Sequence, residues 1–143
     1  MIIKKSIKIL YIIKIKFLLY FIFNLKYLVV SFMSENIAII TSENLKNEVL
    51  DNKGFSLIDF WAPWCGPCRM MLPIFEELSN EVKNVKFCKV NVDDCQDIAS
   101  AYRVSGIPFF ILFKDGKAVA SKTGATSKED FKDWIESSVK NNK

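Results

Sequence analysis

Between Ile37 and Val139 short apolar runs alternate with longer stretches whose apolar residues recur at helical spacing. Ile37-Ala38-Ile39-Ile40 predicts a short strand. Ser42 to Leu50 predicts a helix capped by Thr41 or Ser42, with Leu45, Val49 and Leu50 on one face and Asn52-Lys53-Gly54 as its stop. Phe55 to Ala62 is apolar at odd and even positions alike, the pattern of a strand covered by helices on both sides. One residue of that strand, the carboxylate Asp59, is out of place. Cys65 to about Val82 reads as a helix with a broad apolar face, and Pro73 inside it is expected to kink it.

Val85 to Val92 is the next strand, and Asp93 to Tyr102 a short helix entered through a polar turn. Ser105-Gly106-Ile107-Pro108 breaks the chain. Phe109 to Phe113 and Ala118 to Lys122 are two strands joined through Asp115-Gly116, a hairpin signal. Ser127 to about Val139 is a last amphipathic helix, capped by Ser127 or Thr126, with Phe131, Trp134, Ile135 and Val139 at helical spacing. The order β-α-β-α-β-α-β-β-α is that of an α/β fold: a central mixed β-sheet, parallel at first with an antiparallel hairpin edge, flanked by helices on both faces.

Residues 1–33 follow no such pattern. They are almost wholly Ile, Lys, Leu, Phe and Tyr, with no Gly, Pro, Ala, Arg, Asp or Glu. The longest uncharged run, Phe17 to Leu25, is too short for a membrane-spanning helix, which needs about 20 apolar residues. As a signal peptide the segment has a lysine-rich start, an apolar core from Phe17 to Phe23 and a Val29-x-Ser31 cleavage pattern, but lysines at 14, 16 and 26 crowd the core. An organelle transit peptide would be rich in Arg and Ser, and here there is no Arg and only Ser6 and Ser31. Its residue types are also those of translated AT-rich sequence, in which case translation starts at Met33. Two expectations stand: a hydrophobic basic leader, or a mis-assigned upstream start, with the folded domain at 34–143.

Charge follows the same division. The formal charge is +4. Six of the 20 basic residues lie in 1–33, which has no acid, so 34–143 holds 14 bases against 16 acids, a net −2. Nothing in that balance suggests a nucleic-acid surface. There is no histidine, which excludes a Cys-His or Ser-His-Asp nucleophile and a Cys₂His₂ zinc site. The four cysteines, 65, 68, 88 and 95, do not form the two spaced pairs of a zinc ribbon, so no metal is expected.

Two cysteines two residues apart, where a strand hands over to a helix, can cycle between dithiol and disulfide. At the helix start, unpaired N–H groups and the positive end of the macrodipole stabilise a Cys65 thiolate. Gly66 permits close approach of a substrate backbone, and Pro67 sits in the first turn, where its missing N–H is no loss. Cys88 alternates into a strand as a core residue, while Cys95 sits in a polar turn between Asp94 and Gln96, a position open to exposure and oxidation but with acidic neighbours that disfavour its thiolate.

Trp61-Ala62-Pro63-Trp64-Cys65-Gly66-Pro67-Cys68, the later Gly106-Ile107-Pro108 and the Phe113-Lys114-Asp115-Gly116 turn together resemble the thioredoxin family. The resemblance covers essentially all of residues 34–143 and implies a thioredoxin fold. It makes Cys65 the exposed nucleophile and Cys68 the buried resolving thiol. It makes Asp59 the group that accepts or returns the resolving cysteine's proton, with Lys89 on the neighbouring strand as its partner. Pro108 matches the family's cis-proline, through which the Ile107 backbone pairs with a bound substrate. Trp61, Pro63, Trp64, Gly106 and Gly124 are expected around Cys65 as a docking surface, whereas Met70 and Phe131 are assigned to the core. The family commonly has Thr after the proline, where this chain has Phe109.

The function so implied is protein-disulfide reduction, since oxidising relatives usually carry histidine between the cysteines. The resemblance implies a monomer with no bound cofactor, recycled by thioredoxin reductase with electrons from NADPH, and disulfide-containing proteins as targets. Cytoplasmic location follows if translation starts at Met33; with a real leader the chain is membrane-associated, exported or organellar. A membrane-tethered or exported reductase of one extracytoplasmic pathway, and a non-catalytic binding subunit, are the competing readings.

Overall fold

A computed structural model of the chain describes residues 36–143, together with residues 14–16 and 18. The leader expected at 1–33 otherwise lies outside the described residues. The unit Asn36–Lys143 is built on five strands: β1 (Ile37–Ile39), β2 (Phe55–Trp61), β3 (Val85–Asn91), β4 (Phe109–Lys114) and β5 (Lys117–Thr123). Their order across the sheet is β1-β3-β2-β4-β5. β1, β3 and β2 pair in parallel; β4 and β5 add an antiparallel edge. Three α-helices accompany them, α1 (Gly66–Glu81), α2 (Gln96–Ala101) and α3 (Lys128–Asn141).

Strand periodicity divides the core in two, because successive side chains point to opposite faces of the sheet. Leu57, Phe87, Phe110 and Leu112 face one side and pack with Met71, Phe75 and Leu78 of α1 and Phe131, Ile135 and Val139 of α3. Ile58, Phe60, Cys88, Val90, Ile111 and Phe113 face the other and pack with Val49, Ile98 and Tyr102. Phe75 and Phe131 are fully buried, and both meet the ring of Phe110.

Three local expectations are corrected. The stretch predicted as a helix from Ser42 to Leu50 is a turn leading into a short π-helix, Lys46–Leu50, closed by a hydrogen bond from Asp51 N–H to the Lys46 carbonyl. Neither Thr41 nor Ser42 caps it through a side chain. Asn44 organises the turn instead, its Oδ1 accepting from the Thr41 N–H at 2.8 Å and its Nδ2 donating to the Ile39 carbonyl. α2 starts at Gln96 rather than Asp93, because the Asn91 side chain accepts from Asp93 N–H and donates to Asp94, holding those residues in a turn. Met70, expected in the core, is directed outward by α1 and is 68% exposed. The helical backbone of α1 continues through Pro73 to Glu81.

The hairpin is as read. Asp115 and Gly116 both have positive φ, +49° and +78°, which a two-residue turn of the favoured twist needs. Asp115 also exchanges hydrogen bonds with Gly54, donating from N–H to its carbonyl and accepting its N–H on Oδ1.

Candidate active site

The site forms where β2 ends and α1 begins. Gly66 opens α1 and Pro67 follows in its first turn, so Cys65 is the helix cap, with extended backbone angles. Its Sγ accepts a hydrogen bond from the Cys68 N–H at 3.2 Å. That amide is one of the N–H groups a helix leaves unpaired at its start. Cys65 and Cys68 are joined as a disulfide, with Cα atoms 5.3 Å apart. The Cys65 sulfur also lies 3.8 Å from the Ile107 carbonyl oxygen, and the Ile107–Pro108 peptide is cis. The Pro108 carbonyl accepts from the Gly124 N–H at 2.8 Å, which brings Gly124, with φ +88°, onto the same end of the sheet.

Exposure departs from expectation at Cys65. The resemblance implied an exposed sulfur, yet in this disulfide state Cys65 and Cys68 are each only 4% exposed. Ala62, Trp61, Val92 and Ile107 enclose the pair. Trp64 is 68% exposed, and its Nε1–H donates to both carboxylate oxygens of Asp93, at 3.0 and 3.2 Å. Trp64, Val92, Val104, Gly106 and Ile107 line an open groove of about 340 Å³ beside the sulfurs. Pro63 is exposed next to Trp64. Phe109, the departure from the family pattern, packs its ring 6.0 Å from that of Phe60 on the far face of the sheet.

The β2–β3 register sets Asp59 directly opposite Lys89. Both are buried, and Lys89 Nζ stands 3.8 Å from Asp59 Oδ2. No group among the described residues donates a hydrogen bond to either Asp59 oxygen. Burial pushes the carboxyl up to about 7, with Lys89 pulling in the opposite direction. Burial lowers the Lys89 ammonium, opposed by the charges of Asp59 and Glu76. Asp59 shares its sheet face with Leu57, the face covered by α1, the helix that carries Cys68 in its first turn.

Two contacts escaped the sequence. The Trp64–Asp93 hydrogen bond joins residues on different elements and carries no pattern. The Trp61 ring stands 4.8 Å from the Lys89 ammonium. A signal for the second existed, because period-two spacing puts Trp61 on the same face as Asp59. At Cys95 the sequence leaves exposure open, and the structure decides against it. The residue is buried, with its Sγ directed at the Ile40 carbonyl, because the polar turn that precedes α2 folds it inward against Ile40. Cys88 lies in the core as expected, and burial drives its thiol up to about 12.

Among the described residues no group of three or more His, Cys, Asp or Glu is placed to hold a metal, and no helix is long and apolar enough to cross a membrane.

The thioredoxin family model matches residues 36–137. The chain is 40% identical over 108 residues to a thioredoxin of Pseudomonas aeruginosa, covering 75% of this chain and all of that one. It is 43% identical over 101 residues to a thioredoxin of Rickettsia felis, covering 70% of this chain and 96% of the relative. A chloroplastic M-type thioredoxin of Triticum aestivum is 43% identical over 95 residues, 66% of this chain and 54% of that protein. These relatives and the bonded sulfur pair favour redox chemistry over a non-catalytic binding role. The chain therefore belongs to the thioredoxin family and is a thiol–disulfide oxidoreductase working through Cys65 and Cys68.

Proposed function

We propose that the domain reduces disulfides in other proteins, with Cys65 as the attacking sulfur and Cys68 as the resolving one. The observation that carries this assignment is the capping bond from Cys68 N–H to Cys65 Sγ. A helix N-terminus aimed at one sulfur stabilises negative charge on it.

The Cys65 thiolate attacks a target disulfide, forming a Cys65–target bond and expelling one target thiolate. Cys68 then loses its proton and attacks the Cys65 sulfur, expelling the second target thiolate and leaving the Cys65–Cys68 disulfide. Two electrons have passed to the target. Asp59, a carboxyl that titrates near neutrality, takes the Cys68 proton, and Lys89 tunes it. Gly66 and Pro67 keep the approach to Cys65 open, while Trp61, Pro63, Trp64, Gly106, Ile107, Pro108 and Gly124 frame the docking surface.

Thioredoxins need no prosthetic group, and the family implies thioredoxin reductase and disulfide-containing proteins as partners. The two electrons that restore the dithiol then come from NADPH through that reductase. We assign the redox domain to residues 34–143, and the cytoplasm as its compartment if translation starts at Met33.

Trapping separates the two sulfurs. Cys68→Ser is expected to accumulate a covalent Cys65–target adduct, seen by non-reducing mass analysis, whereas Cys65→Ser forms none. An adduct formed by Cys65→Ser and absent from Cys68→Ser would reverse the assignment.

A further inference from the structure

Lys89 presents an unusual arrangement for an ammonium. It is buried, it makes no hydrogen bond within the usual distance to Asp59, and its nitrogen instead stands over the face of Trp61. The indole is half-buried and has a second neighbour, the enclosed cluster of Ala62, Cys65 and Cys68. Trp61 thus packs on the cluster that holds the sulfur pair, while its ring faces the cation beside the buried carboxylate.

We infer that Trp61 is a positioning residue for the proton-transfer pair: its ring face holds the Lys89 ammonium beside Asp59. The physical reason is the freedom of the lysine stem. Four methylenes let an ammonium swing toward water, where it is best solvated. An aromatic face attracts a cation electrostatically and more strongly where water is excluded, so the indole opposes that swing. The charged groups acting on Lys89 are Asp59 on β2 and Glu76 on α1; Lys89 is the one acting on Asp59. Removing the ring leaves the cation without its apolar seat, and Asp59 loses part of the positive charge that favours its ionised form. Its titration then moves upward. The inference rests on the proposed role of Asp59 for its mechanistic meaning, but the positioning itself is a matter of titration alone.

The test is an NMR pH titration of the Asp59 carboxyl carbon in the disulfide-bonded full-length chain, where Cys65 and Cys68 do not titrate. Trp61→Leu is expected to raise the midpoint by on the order of half a pH unit, the equivalent of one weak cation–π contact. In a Lys89→Met background the same substitution is expected to add nothing. No shift in Trp61→Leu, or the same shift with and without Lys89, overturns the inference. A second measurement needs no variant: the Lys89 Cε protons of the native chain are expected upfield, shielded by the indole ring, and random-coil positions would contradict the contact. Failure of the proton-transfer reading is distinguishable, because it would show as an unchanged pH–rate profile for mixed-disulfide resolution in Asp59→Asn whatever the titrations report.

Discussion

The ammonium of Lys89 stands 3.8 Å from the carboxylate of Asp59 inside the sheet, too far for a hydrogen bond and close enough for strong Coulombic coupling. The carboxyl is 1% exposed and accepts no hydrogen bond from the described residues. Burial raises its proton affinity more than Lys89 lowers it, so Asp59 titrates about three units above a free aspartate, near 7.

That shift fixes the direction of a stability change. Between roughly pH 4 and pH 7 the folded chain holds a proton on Asp59 that the unfolded chain has released. Stability contributed by this site therefore falls as pH rises through that window and levels off above it. Asp59→Asn is expected to stabilise the fold at pH 8, by at most about 4 kcal/mol, and to change it little at pH 4. Denaturant unfolding of both proteins at the two pH values measures the difference, and equal gains at both would contradict a raised pKa.

The same substitution has a kinetic consequence. With no carboxylate to take the Cys68 proton, breakdown of the mixed disulfide at pH 7 is expected to slow by roughly 10²-fold, the usual size of a general-base contribution. Stopped-flow measurement of target release checks it. The deficit is expected to shrink as pH rises and solvent deprotonates Cys68 unaided.

Thiol reactivity is expected to be sharply unequal. Cys88 and Cys95 are both buried, and the Cys88 thiol is pushed up to about 12. Brief alkylation of the reduced native protein near pH 7 is expected to label Cys65 first and to leave Cys88 and Cys95 unmodified until denaturant is added. Peptide mass mapping reads this directly, and early labelling of Cys95 would contradict its burial.

Gly116 supplies a test remote from the sulfurs. Its φ of +78° disfavours a side chain, and a Cβ would collide with the Leu50 carbonyl. Gly116→Ala is expected to destabilise the fold by roughly 2 kcal/mol, without changing the Cys65 alkylation rate. Paired unfolding and alkylation measurements check both halves.

Much of this architecture was legible in the chain. Strands β2 and β4 are apolar on both faces because helices cover both, and Asp115-Gly116 announced its hairpin by chemistry that few residues permit. The site was legible for a related reason: Trp64 to Cys68 is contiguous, and a carboxylate in an apolar strand is conspicuous. What escaped depends on contacts between distant segments. Met70 falls within an apolar stretch, yet the rotation of α1 about its axis turns it to solvent. Cys95 has polar neighbours in sequence but apolar ones in space, Ile40 among them. The π-helix at Lys46–Leu50 follows from a hydrogen bond one residue longer than the α pattern, which side-chain periodicity over five residues does not reveal.

Disulfide reduction by Cys65 and Cys68 is measured as turnover of a small disulfide-bonded protein in the presence of NADPH and thioredoxin reductase. The wild-type chain is expected to sustain NADPH oxidation in proportion to substrate thiols released, and Cys65→Ser to sustain none. No turnover by the wild type, or turnover that persists in Cys65→Ser, would show that these sulfurs do not carry disulfide reduction.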